Sequence, residues 1–252
     1  MLVGHQVFSV EFSLVSTRYL LNYASKHHHP IRHSFQHPSA LGSKYLEDTV
    51  SSIATHPYVT REFLSPSNSF ILNYKRLPYR TKWVEFADVE NTLRAIGAPP
   101  SSIRHDGRPV FSLPVIVDSS QSPTRPTVLS RADTIAEYLE LTYPARPIFP
   151  DGSRALQNLF VHFIHEVLAK PLLPILVPLS HQRLPERSQA HFPGGAAPLG
   201  SAEREQAWRA AKDQFNFLAK MMDKNIGDST CDGIVVMGRS VTYADFALCS
   251  VL

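Results

Sequence analysis

Few side chains in this sequence stand at a spacing that does chemistry unaided, and the first to weigh are two histidines. His162 and His165 lie three residues apart, which on a helix places both imidazoles on one face. A metal centre needs further ligands, and no acidic or cysteine companion stands at ligand spacing, so the pair reads as surface or groove residues. The run His27-His28-His29 attracts divalent metals adventitiously without making a dedicated site. No bound metal is expected. Cys231 falls in a polar loop and Cys249 on an apolar final segment; neither has a cationic neighbour to favour thiolate. Two cysteines also cannot make a disulfide framework. Pro114 interrupts the apolar run Val110–Val117, so it must sit at a strand start, an edge or a special turn. Thr242-Tyr243-Ala244-Asp245 has the form of a helix capping box, with Asp where Glu is usual.

The chain that must position these groups has 252 residues, 43% of them hydrophobic and 19% charged, with a formal charge of +3. That balance excludes a wholly disordered or coiled-coil protein, and the length buries a core without staples. No dense basic stripe interleaved with aromatics occurs, so nucleic-acid binding is disfavoured. No apolar run approaches the roughly 18 residues of a membrane span, and no membrane partner is expected. Glu11 spoils the apolar stretch of a signal peptide, which makes a cytoplasmic location the expectation.

Residues 24–68 carry scattered prolines and no sustained period, the texture of an insertion or linker. Thr81–Phe86 alternates like a strand. Asp88 can cap a helix to Ile96, stopped by Gly97 and Pro99-Pro100. A strand broken by Pro114, a short strand at Thr127–Leu129 and a helix over Arg131–Tyr143 follow. Beyond Pro150 the pattern is helical. Leu156, Leu159, Phe160, Phe163, Ile164, Val167 and Leu168 form one stripe, and Trp208, Ala211, Phe215, Leu218 and Met222 form another. Phe160 and Phe163 either pack in the core or line an apolar acceptor pocket.

This order resembles that of the cytosolic glutathione transferases, fungal members in particular. The motifs carrying the resemblance are Leu72-Asn-Tyr-Lys-Arg-Leu-Pro-Tyr79, Lys82-Trp-Val-Glu85, Ile96-Gly-Ala-Pro-Pro100 and Leu113-Pro-Val115. Thr134-Ile-Ala-Glu-Tyr-Leu139, Tyr143-Pro144 and the Thr242–Asp245 box complete the set. The resemblance implies an α/β plus all-α fold: a thioredoxin-like N-terminal domain followed by an all-helical C-terminal domain. Residues 72–147 would be the thioredoxin-like, glutathione-binding part, and 153–252 the helical part, cut short at its end. Residues 1–23 would hold the first strand, at Gln6–Phe12, and the start of the first helix. Because Leu-Asn-Tyr recurs at 21–23 and 72–74, residues 24–71 are expected to be an insertion, such as a retained intron, splitting that helix, or else a disordered segment.

The resemblance also assigns site residues. Pro114 corresponds to a cis-proline, after which the Val115 backbone would pair with the cysteinyl part of glutathione. The third family helix holds the γ-glutamyl end with an acidic residue followed by serine. Here those positions are Arg131 and Ala132, so a hydroxyl is lost and a cation faces the ammonium. Ser130 and Asp133 flank them. The hydroxyl that favours the glutathione thiolate would come from Ser13 or Ser16, or from Ser65 or Ser67 if the later segment makes the first helix. Lys82 is a possible polar contact. The implied activity is attack of the glutathione thiolate on a small-molecule electrophile, or cleavage of an ether, in a homodimer with glutathione as co-substrate. The alternative is a non-catalytic protein of the same fold that binds a ligand or partner.

Overall fold

The computed structural model describes residues 50–55, 66–122, 124–191, 198–227 and 235–251. Strand β1 (Val50–Thr55) leads to helix α1 (Pro66–Tyr74), strand β2 (Tyr79–Val84), a 3-10 turn at Phe86–Asp88 and helix α2 (Val89–Ala95). A small ribbon of β3 (Ser102–Ile103) and β4 (Pro109–Val110) precedes β5 (Val115–Asp118), β6 (Thr127–Ser130) and helix α3 (Ala132–Thr142). Four strands make one sheet in the order β2-β1-β5-β6, with β1 parallel to β2 and antiparallel to β5. The parallel pair requires a crossover, which α1 supplies. This is a thioredoxin-like domain.

The first strand and helix lie where an insertion was expected. Val50–Thr55 belongs to the sheet and α1 is continuous from Pro66, so the described parts of 24–71 are domain rather than inserted chain. Proline scatter misled the reading: Pro66 starts a helix, where its missing N–H would have had no partner anyway. Gln6–Phe12 and the first Leu-Asn-Tyr copy are outside the described residues.

Successive residues of β5 point to opposite faces, and each face has its own core. Ile116 packs with Ile71 and Leu72 of α1 and with Ile135 and Leu139 of α3. Val115 packs on the other face with Val84, Val89 and Leu93. At the C-terminal end of β5, Asp118 accepts hydroxyl protons from Tyr138 and Tyr143 at 2.8 and 2.6 Å. Burial raises its pKa, but these hydroxyls and the Ser120 N–H outweigh burial and hold it low.

Lys75, just past α1, is buried with Glu140 of α3, and its Nζ donates to Glu140 Oε2 at 2.7 Å. The same ammonium donates to the Tyr143 and Arg146 carbonyls at 2.8 and 3.2 Å. Glu140 in turn accepts the N–H groups of Ile148 and Phe149. One ion pair thus ties α1, α3 and the link to the second domain.

That domain contains α4 (Arg154–Phe163), a π turn at Ile164–Ala169, a 3-10 turn at Lys170–Leu172 and α5 (Leu173–His181). Helices α6 (Glu186–His191), α7 (Ser201–Met222) and α8 (Tyr243–Val251) follow. Phe160 and Phe163 stack at 6.0 Å and pack on the helical core, the first of their two expected fates. The continuous run Arg154–His181 is, by length and composition, apolar enough to cross a membrane, and 28% of its most apolar window is buried. The sequence reading missed this because Glu166 and Lys170 interrupt the run; they pair with each other at 2.8 Å. The inner residues Ile164 and Leu168 pack against Leu218 of α7 and Leu248 of α8, as in a domain's core helix.

At α8 the capping motif works differently from its expected form. Asp245 is the hub, accepting the N–H groups of Val236 and Thr242 and the Thr242 hydroxyl at 2.8, 2.9 and 2.8 Å. Gln157 of α4 also accepts the Ala244 N–H at 3.0 Å, linking α4 to the start of α8.

Lys75→Met should leave Glu140 buried without its cation and cost about 3 kcal/mol, since breaking one half of a buried pair is worse than removing both. Adding Glu140→Gln should recover part of that loss in urea denaturation. A single variant as stable as the parent would show that the pair does not anchor the linker.

Candidate functional site

The sheet register places several chain ends on one edge. Thr55 pairs with Val84, and Val115 lies between Ile53 and Ser130. The C-terminal ends of β1, β2 and β6 therefore share an edge with the N-terminal end of β5. Strands β1 and β6 are both antiparallel to β5, so they run the same way. The helices that follow them, α1 and α3, turn back along the sheet with both N-termini at this edge. Lys75 and Glu140 join their far ends. Two helix N-termini thus stand on the edge that holds Leu113–Pro114, and their shared polarity favours an anion there.

The Leu113–Pro114 bond is cis, as the resemblance implied. Pro114 O accepts the Arg131 N–H at 3.3 Å, bringing the start of β5 against the start of α3. Val115 is fully buried with a strand on each side, so its backbone has no free edge for a ligand. Main chain open to an added strand begins at Leu113, before the ladder. The expected backbone role thus shifts upstream of Val115.

Arg131 and Ala132 stand at the N-terminus of α3, where sequence counting put them. Arg131 has φ of 78° with ψ of 131°, a positive-φ conformation outside the left-handed helical well that favours glycine over any residue with a Cβ. Its guanidinium grips Asp133 with two hydrogen bonds, of 3.1 and 2.6 Å. The Arg131 hydrogen bond, against the opposing effect of burial, holds the Asp133 carboxyl below the usual range, helped by the Thr134 N–H and its own. An internal carboxylate therefore occupies the helix start that would hold an external one. Ser130 is buried and donates to the Pro99 carbonyl at 2.6 Å, so it is committed elsewhere.

Ser13, Ser16 and Ser65 are outside the described residues. Ser67 and Asn68 lie in the first turn of α1, both buried. Neither amide atom of Asn68 has a hydrogen-bond partner among the described residues, a feature that no residue pattern announced. Lys82 is exposed on the outer strand β2, opposite Ile53. Beyond β2, Asp88 was expected to cap α2, but its side chain makes no cap bond. It takes two short hydrogen bonds from Arg187 of α6, at 2.6 and 2.5 Å. The Arg187 hydrogen bond keeps the Asp88 pKa below its ordinary value.

Burial, then the neighbouring His162, acts to lower the His165 pKa while Glu166 opposes, and the net direction is down. Among the described residues no group of three metal-ligating side chains assembles. Burial pushes the Cys249 thiol up to about 11, which disfavours thiolate. Cys231 is outside the described residues.

A thioredoxin-like sheet joined to a helical domain, with a cis-proline facing two helix N-termini, defines the class of fold. Residues 155–252 match the family described as Glutathione S-transferase, C-terminal domain. The structure resembles glutathione transferase GSTFuA3 from Phanerochaete chrysosporium, with 30% identity and a TM-score of 0.71, over 81% of this chain and 83% of that one. It also resembles CsGST63524 of Ceriporiopsis subvermispora, solved in complex with glutathione, at 30% identity and a TM-score of 0.67, over 79% and 82% of the two chains. The Glutathione S-transferase-like protein ustS from Aspergillus flavus is 27% identical over 196 residues, 72% of this chain and 69% of that protein. The chain belongs to the glutathione transferase superfamily.

Arg131→Met should release Asp133, whose titration midpoint, followed by NMR, should rise toward the ordinary carboxylate value. A depressed carboxylate stabilises the fold above its unfolded pKa and loses that contribution as pH falls through the folded value. The parent should therefore lose more stability on acidification than the variant. An unmoved Asp133 midpoint would show that the helix start alone sets it.

Proposed function

We propose that the edge formed by Leu113–Pro114 and the N-termini of α1 and α3 binds glutathione and presents its sulfur, as thiolate, to a small electrophile. The observation carrying this reading is that two helix N-termini share a sheet edge with the Leu113–Pro114 segment, in a chain of this superfamily. Main chain at Leu113 would pair with the cysteinyl unit like an added strand. The γ-glutamyl carboxylate would lie at the start of α3. The sulfur would lie toward α1, where the helix dipole favours the anion.

A serine hydroxyl would lower the thiol pKa further: Ser13, Ser16 or Ser65, which lie outside the described residues, or Ser67 in the first turn of α1. The thiolate then forms a bond to the electrophilic carbon while the leaving group departs with its electron pair. Cleavage of an ether follows the same course, with an alkoxide or phenoxide leaving. A homodimer follows from the family resemblance, and exposed Leu141, Leu156 and Leu159 on α3 and α4 provide apolar surface for a second copy.

One observation favours a second reading, that of a non-catalytic ligand-binding member. Ala132 provides no hydroxyl, and Asp133, locked by Arg131, competes for the α3 N-terminus. Glutathione affinity should accordingly be weak in the parent chain.

The two readings separate on repair of that helix start. Arg131→Asp with Ala132→Ser supplies a hydroxyl donor and returns an acidic partner for the ammonium. Two recovered contacts of about 1 kcal/mol each, imperfectly additive, should tighten glutathione binding about tenfold in calorimetry. Unchanged binding in a folded double variant would remove α3 from the site. Retention of the parent on immobilised glutathione, with specific elution, tests the reading as a whole.

A further inference from the structure

Helix α6 belongs by sequence to the helical domain, yet its principal packing partner is the Phe86–Asp88 turn of the other domain. That turn follows the C-terminal end of β2 and so stands on the edge holding Leu113–Pro114 and the starts of α1 and α3. Arg187 makes two hydrogen bonds to Asp88, at 2.6 and 2.5 Å, and Ser188 makes a longer one of 3.4 Å to Glu85. Toward its own domain, α6 is joined to the end of α5 and to the turn between them. The Gln189 amide donates to the Leu184 carbonyl at 2.8 Å and the Gln189 carbonyl meets His181 at 3.4 Å, both within the same turn of chain. The Arg187–Asp88 pair is largely exposed, 62% and 39% for the two side chains, so water and salt compete for it.

We propose that α6 is an ion-latched strap across the site edge, held shut by Arg187 and Asp88 and released when glutathione enters or leaves. The glutathione part of this rests on the function proposed above. The strap is anchored to the second domain at one side and to the rim of the first at the other, so opening the pair lifts α6 at this edge while the core shared by α1 and α8 keeps the domains together. A bidentate guanidinium–carboxylate contact suits the task. Its geometry is specific, so the strap closes in one register, and its exposure keeps the pair weak enough to open often.

The test uses the full chain and three variants, Asp88→Asn, Arg187→Gln, and the exchange Asp88→Arg with Arg187→Asp. Stopped-flow mixing with glutathione should show association and dissociation both faster by about two- to fivefold in each single variant, with Kd little changed, because an exposed pair contributes modestly. Raising salt to about 0.5 M should accelerate the parent similarly and leave the single variants almost unaffected. The exchange variant should return to the parent's rates. Unaltered rates in the single variants, or an exchange variant as fast as they are, would overturn the latch, since a contact that only cements the domains changes stability and not ligand kinetics.

Hydrogen exchange at the amides of 186–191 separates this from failure of the glutathione reading. If calorimetry finds no glutathione binding, the proposed function falls. The latch then stands on faster exchange there in the single variants and restoration in the exchange variant, and equal exchange in all of them refutes it. If a single variant does not fold, the salt response of the parent and the exchange variant decide the question.

Discussion

Lys75 holds its ammonium group out of water against Glu140, and that pair governs where three separate stretches of chain can lie. The cation must reach the carboxylate and the Tyr143 and Arg146 carbonyls just beyond α3, so the C-terminal ends of α1 and α3 are brought together. Because strands β1 and β6 run in the same sense, joining the far ends of their helices also brings the near ends together. Glu140 spends its remaining acceptor capacity on Ile148 and Phe149, which fixes the exit toward the helical domain. A buried charge pair of this kind gains little stability over a well-packed apolar alternative. Its value lies in orientation, since no other arrangement leaves both charges satisfied.

The candidate site inherits that orientation and then departs from what the resemblance implied. Two helix N-termini make a field suited to an anion, but α3 meets part of its own demand internally through Asp133. The Arg131 guanidinium makes this stable by neutralising the carboxylate it grips. The result is a locally balanced helix start rather than an open anion site. In the proposed function, this balance would weaken the grip on the γ-glutamyl end and leave the cis-proline edge and α1 as the stronger determinants.

The second domain contributes by reach as well as by packing. Its core joins α4 to α7 and α8 through aliphatic contacts and the Gln157 bond to Ala244. Its small helix α6 instead meets the first domain beside the site, where the exposed Arg187–Asp88 pair spans the contact. Apolar cores resist opening, and exposed ion pairs do not, so the packing of Tyr243 and Phe246 of α8 on Ile71 and Leu72 of α1 is the firm part of the contact between the domains, and the ion pair at the rim is a softer one.

Much of this was legible in the residues themselves. Alternation marked β2, the spacing of Ile135 and Leu139 marked α3, and Pro114 announced a break in its strand because proline cannot donate to a ladder. The positions of Arg131 and Ala132 followed from counting along a helix. Other features depended on contacts between distant residues. Asp88 has the right place for a cap, but its partner lies 99 residues away, and nothing local distinguishes a capping carboxylate from a paired one. Val115 looked like a ligand contact until the register gave it neighbours on both sides. The helix at Pro66 was hidden by prolines that local rules read as breaks. Sequence determines periodicity, turn chemistry and which faces are apolar, because those depend on neighbours along the chain. Which backbone edges remain free, and which charges find each other, depends on neighbours in space, and only the folded chain decides that.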